Sequence, residues 1–203
     1  MTLRPRVGIA GGTYDPIHLG HLAAARAAQH ALGLDQVRFI PSARPPHRAD
    51  SPGASGYHRL EMVKLAVADT PGWEASNLEL AREGSSYTYD TLTTIGHEGL
   101  SPLQIFFITG ADAFAEVATW HRYPDIFNLA NFVVVARPGT ALASLRACLP
   151  EDTARDNVIL LEADTPDISA TEIRQRVARR ESIEGLVTPA VSAYIQKNSL
   201  YGA

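Results

Sequence analysis

The chain has 203 residues but only one cysteine, Cys148, and no long uninterrupted apolar run. A single cysteine excludes an intramolecular disulfide and suits a reducing compartment, so we expect a cytoplasmic protein. No segment approaches the roughly 20 apolar residues that span a bilayer. Arg4 and Arg6 stand near the amino end, but glycine, aspartate and proline soon interrupt the apolar residues behind them, so no signal-peptide core forms. The sequence therefore predicts no membrane association.

An excess of positive charge is also lacking. Eighteen Lys and Arg residues stand against 22 Asp and Glu residues, which gives a net charge of −4. No global basic field points to DNA or RNA, so we expect no nucleic-acid partner, and any anionic ligand must be bound by local groups. The length fits one domain over residues 1–203, with a carboxyl-terminal helical part from about residue 166.

Short apolar runs alternate with helical patterns along the chain. Strands are predicted at residues 7–10, 37–40, 104–108, 132–135 and 157–161. Helices are predicted at residues 17–32, 60–67, 169–180 and 189–196, and a further helix is predicted to start near Asp90, its N-cap candidate. Buried strands interleaved with helices predict an α/β fold, a doubly wound, Rossmann-like parallel sheet with helices on both faces. Segments 41–56 and 72–87 are rich in loop formers and are predicted to be substrate-covering loops.

The first strand is followed by the sequence GGTYDPIHLGH, residues 11–21. Its glycines do not form the dinucleotide fingerprint G-x-G-x-x-G, and the phosphate loop G-x-x-x-x-G-K-[ST] is absent, which disfavours dehydrogenases and P-loop enzymes. His18 and His21 open the next helix and should share one side of its first turn. Unpaired backbone amides and the helix dipole favour an anion there, so the motif predicts a nucleotide polyphosphate site.

A second motif, ISATEIR, covers residues 168–174. Ser169 and Glu172 have the spacing of a capping box, which by itself only starts a helix. Arg174 lies one turn along, where it could bind a β- or γ-phosphate together with the Thr171 hydroxyl and the helix-start amides. An exposed arginine on a solvated helix face is the alternative.

Each candidate also has a purely structural explanation. His18 and His21 could be one capping and one surface histidine, and Trp120 could be an ordinary packing residue. A zinc site of Asp15, His18 and His21 is a further reading, but no glutamate or cysteine cluster completes a ligand set, so we predict no protein-bound metal.

The two motifs resemble the H-x-G-H and I-S-[ST]-T-x-[IL]-R elements of the nucleotidyltransferase superfamily. Between them, PPHR at 45–48, SYTYDTL at 86–92, GADAF at 110–114, Trp120 and ARPG at 136–139 resemble the bacterial nicotinate-mononucleotide adenylyltransferases. The similarity covers nearly the whole chain. It departs from the family at Arg48, where a lysine is usual, and at Ala170, where a hydroxyl is common.

The resemblance implies roles for particular residues. The catalytic residues would be His18, His21 and Arg174. ATP would be bound by Gly11, Gly12, Thr13, His21, Gly110, Asp112, Ile168, Ser169, Thr171 and Arg174. Nicotinate mononucleotide would be bound by Tyr14, His18, Arg44, Arg48, Tyr87, Thr88, Trp120 and Arg137. Trp120 would stack on the nicotinate ring, while Thr88 and its loop backbone would hold the nicotinate carboxylate.

The implied reaction is attack by the 5′-phosphate of nicotinate mononucleotide on the α-phosphorus of ATP, giving deamido-NAD and pyrophosphate. A phosphate monoester has a second pKa of about 6, so its oxygen is mostly ionised and needs no general base. The histidines would act as donors that align two anions and neutralise developing charge. Mg²⁺ should arrive with ATP, held mainly by phosphates and water.

Three other functions remain open at this stage. A related nucleotidyltransferase could use nicotinamide mononucleotide or pantetheine phosphate and would share both end motifs. A non-catalytic nucleotide-binding regulator would keep the fold but not the turnover. A metal-dependent hydrolase could use the histidines as ligands.

Overall fold

The structure is a computed structural model that describes residues 5–45, 52–140 and 157–202. Six strands in these residues form one sheet: β1 Val7–Gly12, β2 Gln36–Pro41, β3 Trp73–Ala75, β4 Ile105–Gly110, β5 Asn131–Ala136 and β6 Val158–Glu162. All their pairings are parallel. The strand order is β3-β2-β1-β4-β5-β6, which confirms the predicted doubly wound sheet.

The order of the strands reverses direction between β1 and β4. The chain builds the sheet outward from β1 to β3, then returns to β1's other side for β4 to β6. Ligands of such sheets bind beyond the carboxyl ends of the strands at this switch point. The GGTYDPIHLGH motif leaves β1 at that end, so the topology puts it where a ligand is expected.

Helices cover both faces of the sheet. The described helices are α1 Leu19–Leu32, α2 Gly56–Val67, α3 Thr88–His97, α4 Ala111–Ala115, α5 Ala170–Ala178 and α6 Pro189–Lys197. One core packs α1, α2, α5 and α6 on one face of the sheet, through residues such as Ala25, Met62 and Ile173. The other packs α3 and α4 on the opposite face, through residues such as Leu92 and Phe114. Of the helices described, none is long and apolar enough to cross a membrane.

Segment 72–87, predicted to be a loop, contains the edge strand β3. Three residues are too few to show an alternating pattern, and the strand is held by its pairing with β2. Trp73 is buried, and its indole N–H donates a hydrogen bond to Gln29 Oε1 at 2.8 Å. Tertiary packing therefore makes the strand, which explains why local composition did not reveal it.

Two helix starts differ from the sequence prediction. Helix α3 begins at Thr88 with Tyr87 as its N-cap, so Asp90 lies in the first turn instead of capping it. Ser169 is the N-cap of α5, but its side chain makes no cap hydrogen bond. Glu172 instead pairs with Arg176 at 2.7 Å, so the predicted capping box is not formed. The amides at the start of α5 are consequently not bound by the Ser169 hydroxyl.

Candidate active site

The two histidines of the first motif stack on each other at the start of α1. His18 is the N-cap, with an extended backbone, and its N–H donates to His21 Nδ1 at 3.2 Å. Their ring centroids are 3.6 Å apart and the rings are inclined by 24°. Because His21 Nδ1 accepts a hydrogen bond, we assign the proton of neutral His21 to Nε2, which makes that nitrogen a donor.

Burial keeps both imidazoles uncharged in the free protein. Desolvation lowers the pKa of His18 to about 4, and burial, followed by the neighbouring His18, lowers the pKa of His21 well below its ordinary value. His18 Nδ1 is buried and has no hydrogen-bond partner among the described residues. A phosphate bound against the rings would favour their charged form and raise both pKa values. The pair is thus neutral without a ligand and suited to an anion.

Gly20, between the two histidines, lies close to two other parts of the site. A Cβ atom at this position would stand 3.1 Å from atoms of the His18 ring and 3.2 Å from the carbonyl oxygen of Pro166. The carbonyl belongs to the main chain and cannot swing aside as a side chain can. The glycine therefore lets the segment before the second motif approach the histidine pair.

Replacing Gly20 with alanine should displace the His18 ring. We expect kcat to fall roughly tenfold to hundredfold, because small misplacements of reacting groups have effects of that size. Steady-state kinetics on a variant with an unchanged circular dichroism spectrum would measure it. Gly96→Ala is the matched control, since nothing lies within 4 Å of a Cβ there. Equal kcat values for the Gly20 variant and wild type would contradict the prediction.

Asp15, just before the histidines, joins three distant segments. Its carboxylate is buried and accepts hydrogen bonds from the backbone N–H groups of Gly53 at 2.8 Å and Ala54 at 3.0 Å. The Tyr201 hydroxyl donates to the same carboxylate at 2.8 Å. Burial and the adjacent Asp15 raise the pKa of Tyr201, which keeps that hydroxyl protonated as a donor. Across the described residues, no group of three or more His, Cys, Asp or Glu side chains could hold a metal ion.

Arg174 of the second motif reaches the same loop. Its Nη1 donates to the carbonyl oxygen of Asp15 at 2.7 Å and lies 3.7 Å from the Asp15 carboxylate. Its Nη2 donates to Thr171 Oγ1 at 3.1 Å. Residues separated by 159 positions are thereby brought together, and the guanidinium is fixed next to the loop that leads to His18.

Arg59 is a buried residue that the sequence analysis did not single out. Only 2% of it is exposed, although it carries a full charge. Its Nη1 donates to the carbonyl oxygens of Thr13 and Ser42, both at 2.7 Å, and its Nε donates to that of Ala54 at 3.2 Å. The guanidinium thus joins the loops that follow β1 and β2. The sequence did contain one signal for its burial: Arg59 stands three and four residues before Met62 and Val63, which places it on the apolar face of α2.

A cavity of about 270 Å³ opens beyond the carboxyl ends of β1 and β4. Residues of both predicted binding sets line it: Gly11, Gly12, Thr13, Tyr87, Thr88 and Trp120. The Trp120 ring packs edge-on against Phe107, with centroids 6.0 Å apart. His121 stacks on Tyr87 at 4.2 Å. The cavity therefore has aromatic walls and a glycine-lined floor, which suits a flat ring.

Several further lining residues were not anticipated as site residues, among them Ser42, Glu79 and Ser86. Ser42 is 8% exposed, and its hydroxyl has no hydrogen-bond partner among the described residues. An unpaired buried hydroxyl is costly, so a ligand in the cavity is a natural partner for it. Ser86 is the first residue of the SYTYDTL segment, but no motif marks Ser42 or Glu79, because their place at the cavity comes from the meeting of separate loops.

Tyr14, predicted to contact substrate, lies instead in the core. Only 3% of it is exposed, and its hydroxyl donates to the carbonyl oxygen of Ala10 at 2.7 Å. Its ring meets His21 edge-on, with centroids 5.0 Å apart. The ring therefore packs beneath the histidine pair, and its hydroxyl hydrogen is used within the core.

Four other predicted residues lie outside the lining of the cavity. Gly110 ends β4 and is the N-cap of α4, with Asp112 exposed in the first turn of that helix. Arg137 follows β5 and forms an exposed ion pair with Asp167 at 2.6 Å. Ile168 packs against the core that contains α1 and α5. None of these four is among the residues that line the cavity.

Two arginines in segment 41–56, Arg44 and Arg48, were predicted to bind nicotinate mononucleotide. Arg44 is exposed, and its backbone N–H donates to Ser86 Oγ at 3.2 Å. Its side chain is not part of the cavity wall. Arg48 lies outside the described residues.

Comparison with known proteins gives consistent matches over nearly the whole chain. Residues 9–176 match the family model of cytidylyltransferase-like proteins. A probable nicotinate-nucleotide adenylyltransferase of Thermus thermophilus is 46% identical, with 97% of this chain and 99% of the relative covered. One of Roseiflexus sp. is 44% identical, with 96% and 97% covered. The solved Plasmodium falciparum nicotinic acid mononucleotide adenylyltransferase complexed with NaAD is 18% identical over 98% of each chain, with a TM-score of 0.76. That structure has the same fold.

Proposed function

The chain belongs to the nicotinate-nucleotide adenylyltransferase family of cytidylyltransferase-like proteins, and we propose that its histidine pair and its aromatic cavity carry the family's reaction. The enzyme joins ATP and nicotinate mononucleotide to give deamido-NAD and pyrophosphate, a step of NAD biosynthesis. The single observation that carries the assignment of the site is the stacked pair of His18 and His21, with Arg174 fixed to the same loop.

The histidines and Arg174 are proposed to act on the phosphates. The 5′-phosphate oxygen of nicotinate mononucleotide attacks the α-phosphorus, and the bond to the β-phosphate's bridging oxygen breaks in line. The nucleophile is already an anion, so no side chain has to remove a proton. His18 contacts the α-phosphate and the attacking phosphate, while His21 and Arg174 hold the polyphosphate. Their hydrogen bonds stabilise the charge that develops on the oxygens of the leaving pyrophosphate.

The cavity is proposed to take the nicotinate ring. Trp120 would stack on the ring, and Thr88 with the adjacent loop backbone would hold its carboxylate. Support comes from the joint lining of the cavity by Tyr87, Thr88 and Trp120, next to the glycines that end β1. Amide and hydroxyl donors aimed at a carboxylate gain more from the acid than from the neutral amide. The unpaired Ser42 hydroxyl is a further proposed ligand of the mononucleotide.

Mg²⁺ and location are also proposals. We propose that Mg²⁺ enters as part of the ATP substrate, with phosphate oxygens and water as its main ligands. A cytoplasmic location is supported by the single cysteine in the sequence.

One assay tests the proposed function. The protein is incubated with ATP and Mg²⁺ and offered nicotinate mononucleotide, nicotinamide mononucleotide or phosphopantetheine, and pyrophosphate release is followed. We expect the highest kcat/KM for nicotinate mononucleotide. A preference for either other acceptor would overturn the substrate assignment. Absence of turnover with all three would favour a nucleotide-binding regulator.

A further inference from the structure

We propose that Glu79 is a positioning residue that holds the nicotinate-recognition loop, residues 85–88, in the conformation that prefers the acid to the amide. This inference rests on the proposed function of the cavity, and it assigns Glu79 a role that acts through the neighbouring loop. Glu79 is 7% exposed and borders the cavity together with Ser86, Tyr87 and Thr88.

Two side chains, which we call arms, connect Glu79 to the surrounding loops. The first arm is Thr91, one turn into α3. Its hydroxyl donates to Glu79 Oε1 at 2.6 Å, and 2% of the residue is exposed. Arg82 Nη2 lies 3.4 Å from Thr91 Oγ1 and donates to it. The Thr91 hydroxyl therefore accepts a hydrogen bond from the Arg82 guanidinium and donates one to the Glu79 carboxylate. These bonds fix the start of α3 relative to Glu79.

The second arm is Ser86. Its hydroxyl oxygen accepts hydrogen bonds from the backbone N–H groups of Ala43 at 2.8 Å and Arg44 at 3.2 Å. A serine oxygen has two lone pairs, and these two amides occupy both. The hydroxyl can then only donate, and Glu79, which lines the same cavity, is the acceptor whose pKa this hydroxyl lowers. Glu79 thus joins the loop after β2 to the loop that precedes α3.

The charge of this group is balanced by its neighbours. Burial raises the pKa of Glu79, while the hydroxyls of Thr91 and Ser86 and the guanidinium groups of Arg82 and Arg59 lower it. Both hydroxyls act as donors, so they are best matched by a group whose polar atoms only accept. A carboxylate is such a group, whereas the side chain of glutamine has one acceptor oxygen and one donor NH₂.

This difference makes Glu79→Gln a sharp probe. The substitution nearly keeps the shape of the side chain, but its NH₂ would face either Ser86, whose lone pairs are both used, or Thr91, whose hydroxyl hydrogen would then lose its acceptor. One arm must then break, and loop 85–88 loses its fixed position. Donors aimed at the nicotinate carboxylate lose more than contacts to a neutral carboxamide, because charge-assisted hydrogen bonds depend more strongly on geometry and charge.

The experiment compares steady-state constants of the wild type, Glu79→Gln and Glu83→Gln. Glu83 is an exposed acid in the segment between Glu79 and loop 85–88, and it is the matched control. For Glu79→Gln we expect about a tenfold rise in the KM for nicotinate mononucleotide, as for loss of one buried hydrogen bond. The KM for ATP should stay within about twofold, and the acid-to-amide ratio of kcat/KM should fall about tenfold. Glu83→Gln should match the wild type.

The outcomes separate this inference from the proposed function. If the wild type does not use nicotinate mononucleotide, the proposed function fails. If the wild type does and Glu79→Gln keeps its KM values and acid preference, or raises both KM values equally, the positioning role is refuted. If Glu79→Gln does not fold, Ser86→Ala removes the second arm alone and carries the same expectation. An unchanged acid preference in Ser86→Ala would then refute the role.

Discussion

Alanine in place of His18 is expected to lower kcat by about 100- to 1,000-fold, the usual effect of removing one donor that stabilises transition-state charge. The KM for ATP should change much less, because His21 and Arg174 still hold the polyphosphate. His18 is the N-cap of α1, buried against His21, and its Nδ1 lacks a partner among the described residues. The loss should therefore be specific to the reacting phosphates. Rapid-quench or steady-state measurement of pyrophosphate release gives kcat directly.

His30 supplies the control for this variant. It is an exposed histidine in the last turn of the same helix, distant from the site. His30→Ala should retain wild-type turnover. The proposed role of His18 would be abandoned if its alanine variant folded normally and kept more than about a tenth of wild-type kcat, a loss far below that expected for a transition-state donor.

Replacing the buried Arg59 with methionine should have the largest effect on stability. Methionine keeps much of the volume but leaves the carbonyl oxygens of Thr13, Ser42 and Ala54 without this donor. It also removes a positive charge that favours ionised Glu79. We expect the free energy of unfolding to fall by about 3–5 kcal/mol, as when one partner of a buried charged network is removed. The melting temperature should fall by roughly 10 °C for a chain of this size.

Lys64 provides the comparison in the same helix. It is exposed and forms a surface ion pair with Glu61 at 2.7 Å. Such pairs contribute little, so Lys64→Met should leave the urea midpoint nearly unchanged. Urea unfolding of both variants is followed by circular dichroism. Equal urea midpoints for Arg59→Met and Lys64→Met would show that Arg59 does not stabilise the loops at the strand ends.

The central strands could be predicted because their residues are buried on both faces. In β4 and β5, residues 105–108 and 132–135 are apolar and buried without interruption, as a parallel sheet between two helix layers requires. The short edge strand β3 has no such signature, since it depends on pairing with β2. Helix starts were less predictable than helix interiors. At Ser169, for example, the capping box does not form because Glu172 pairs with Arg176 instead.

The site shows the same division between local and distant information. The contact of His18 with His21 follows from helix geometry and a spacing of three, so it could be predicted. The contact of Arg174 with Asp15 spans 159 residues and required the resemblance to a family. For Arg59 the sequence offered only its spacing on the apolar face of α2, and for Glu79 it offered no signal, since buried charges are uncommon and each depends on partners from several loops.

The hydrogen bond between Asp15 and Tyr201 has a practical consequence for engineering the chain. Tyr201 lies near the carboxyl end of the sequence, in a short turn with a left-handed backbone at that residue. Trimming the chain to before this tyrosine would leave all six described strands in place, yet it would remove a hydrogen bond to Asp15, in the loop that leads to His18. Progressive shortening from this end should therefore abolish the activity while the sheet is still intact. A purification tag is better attached at the opposite end.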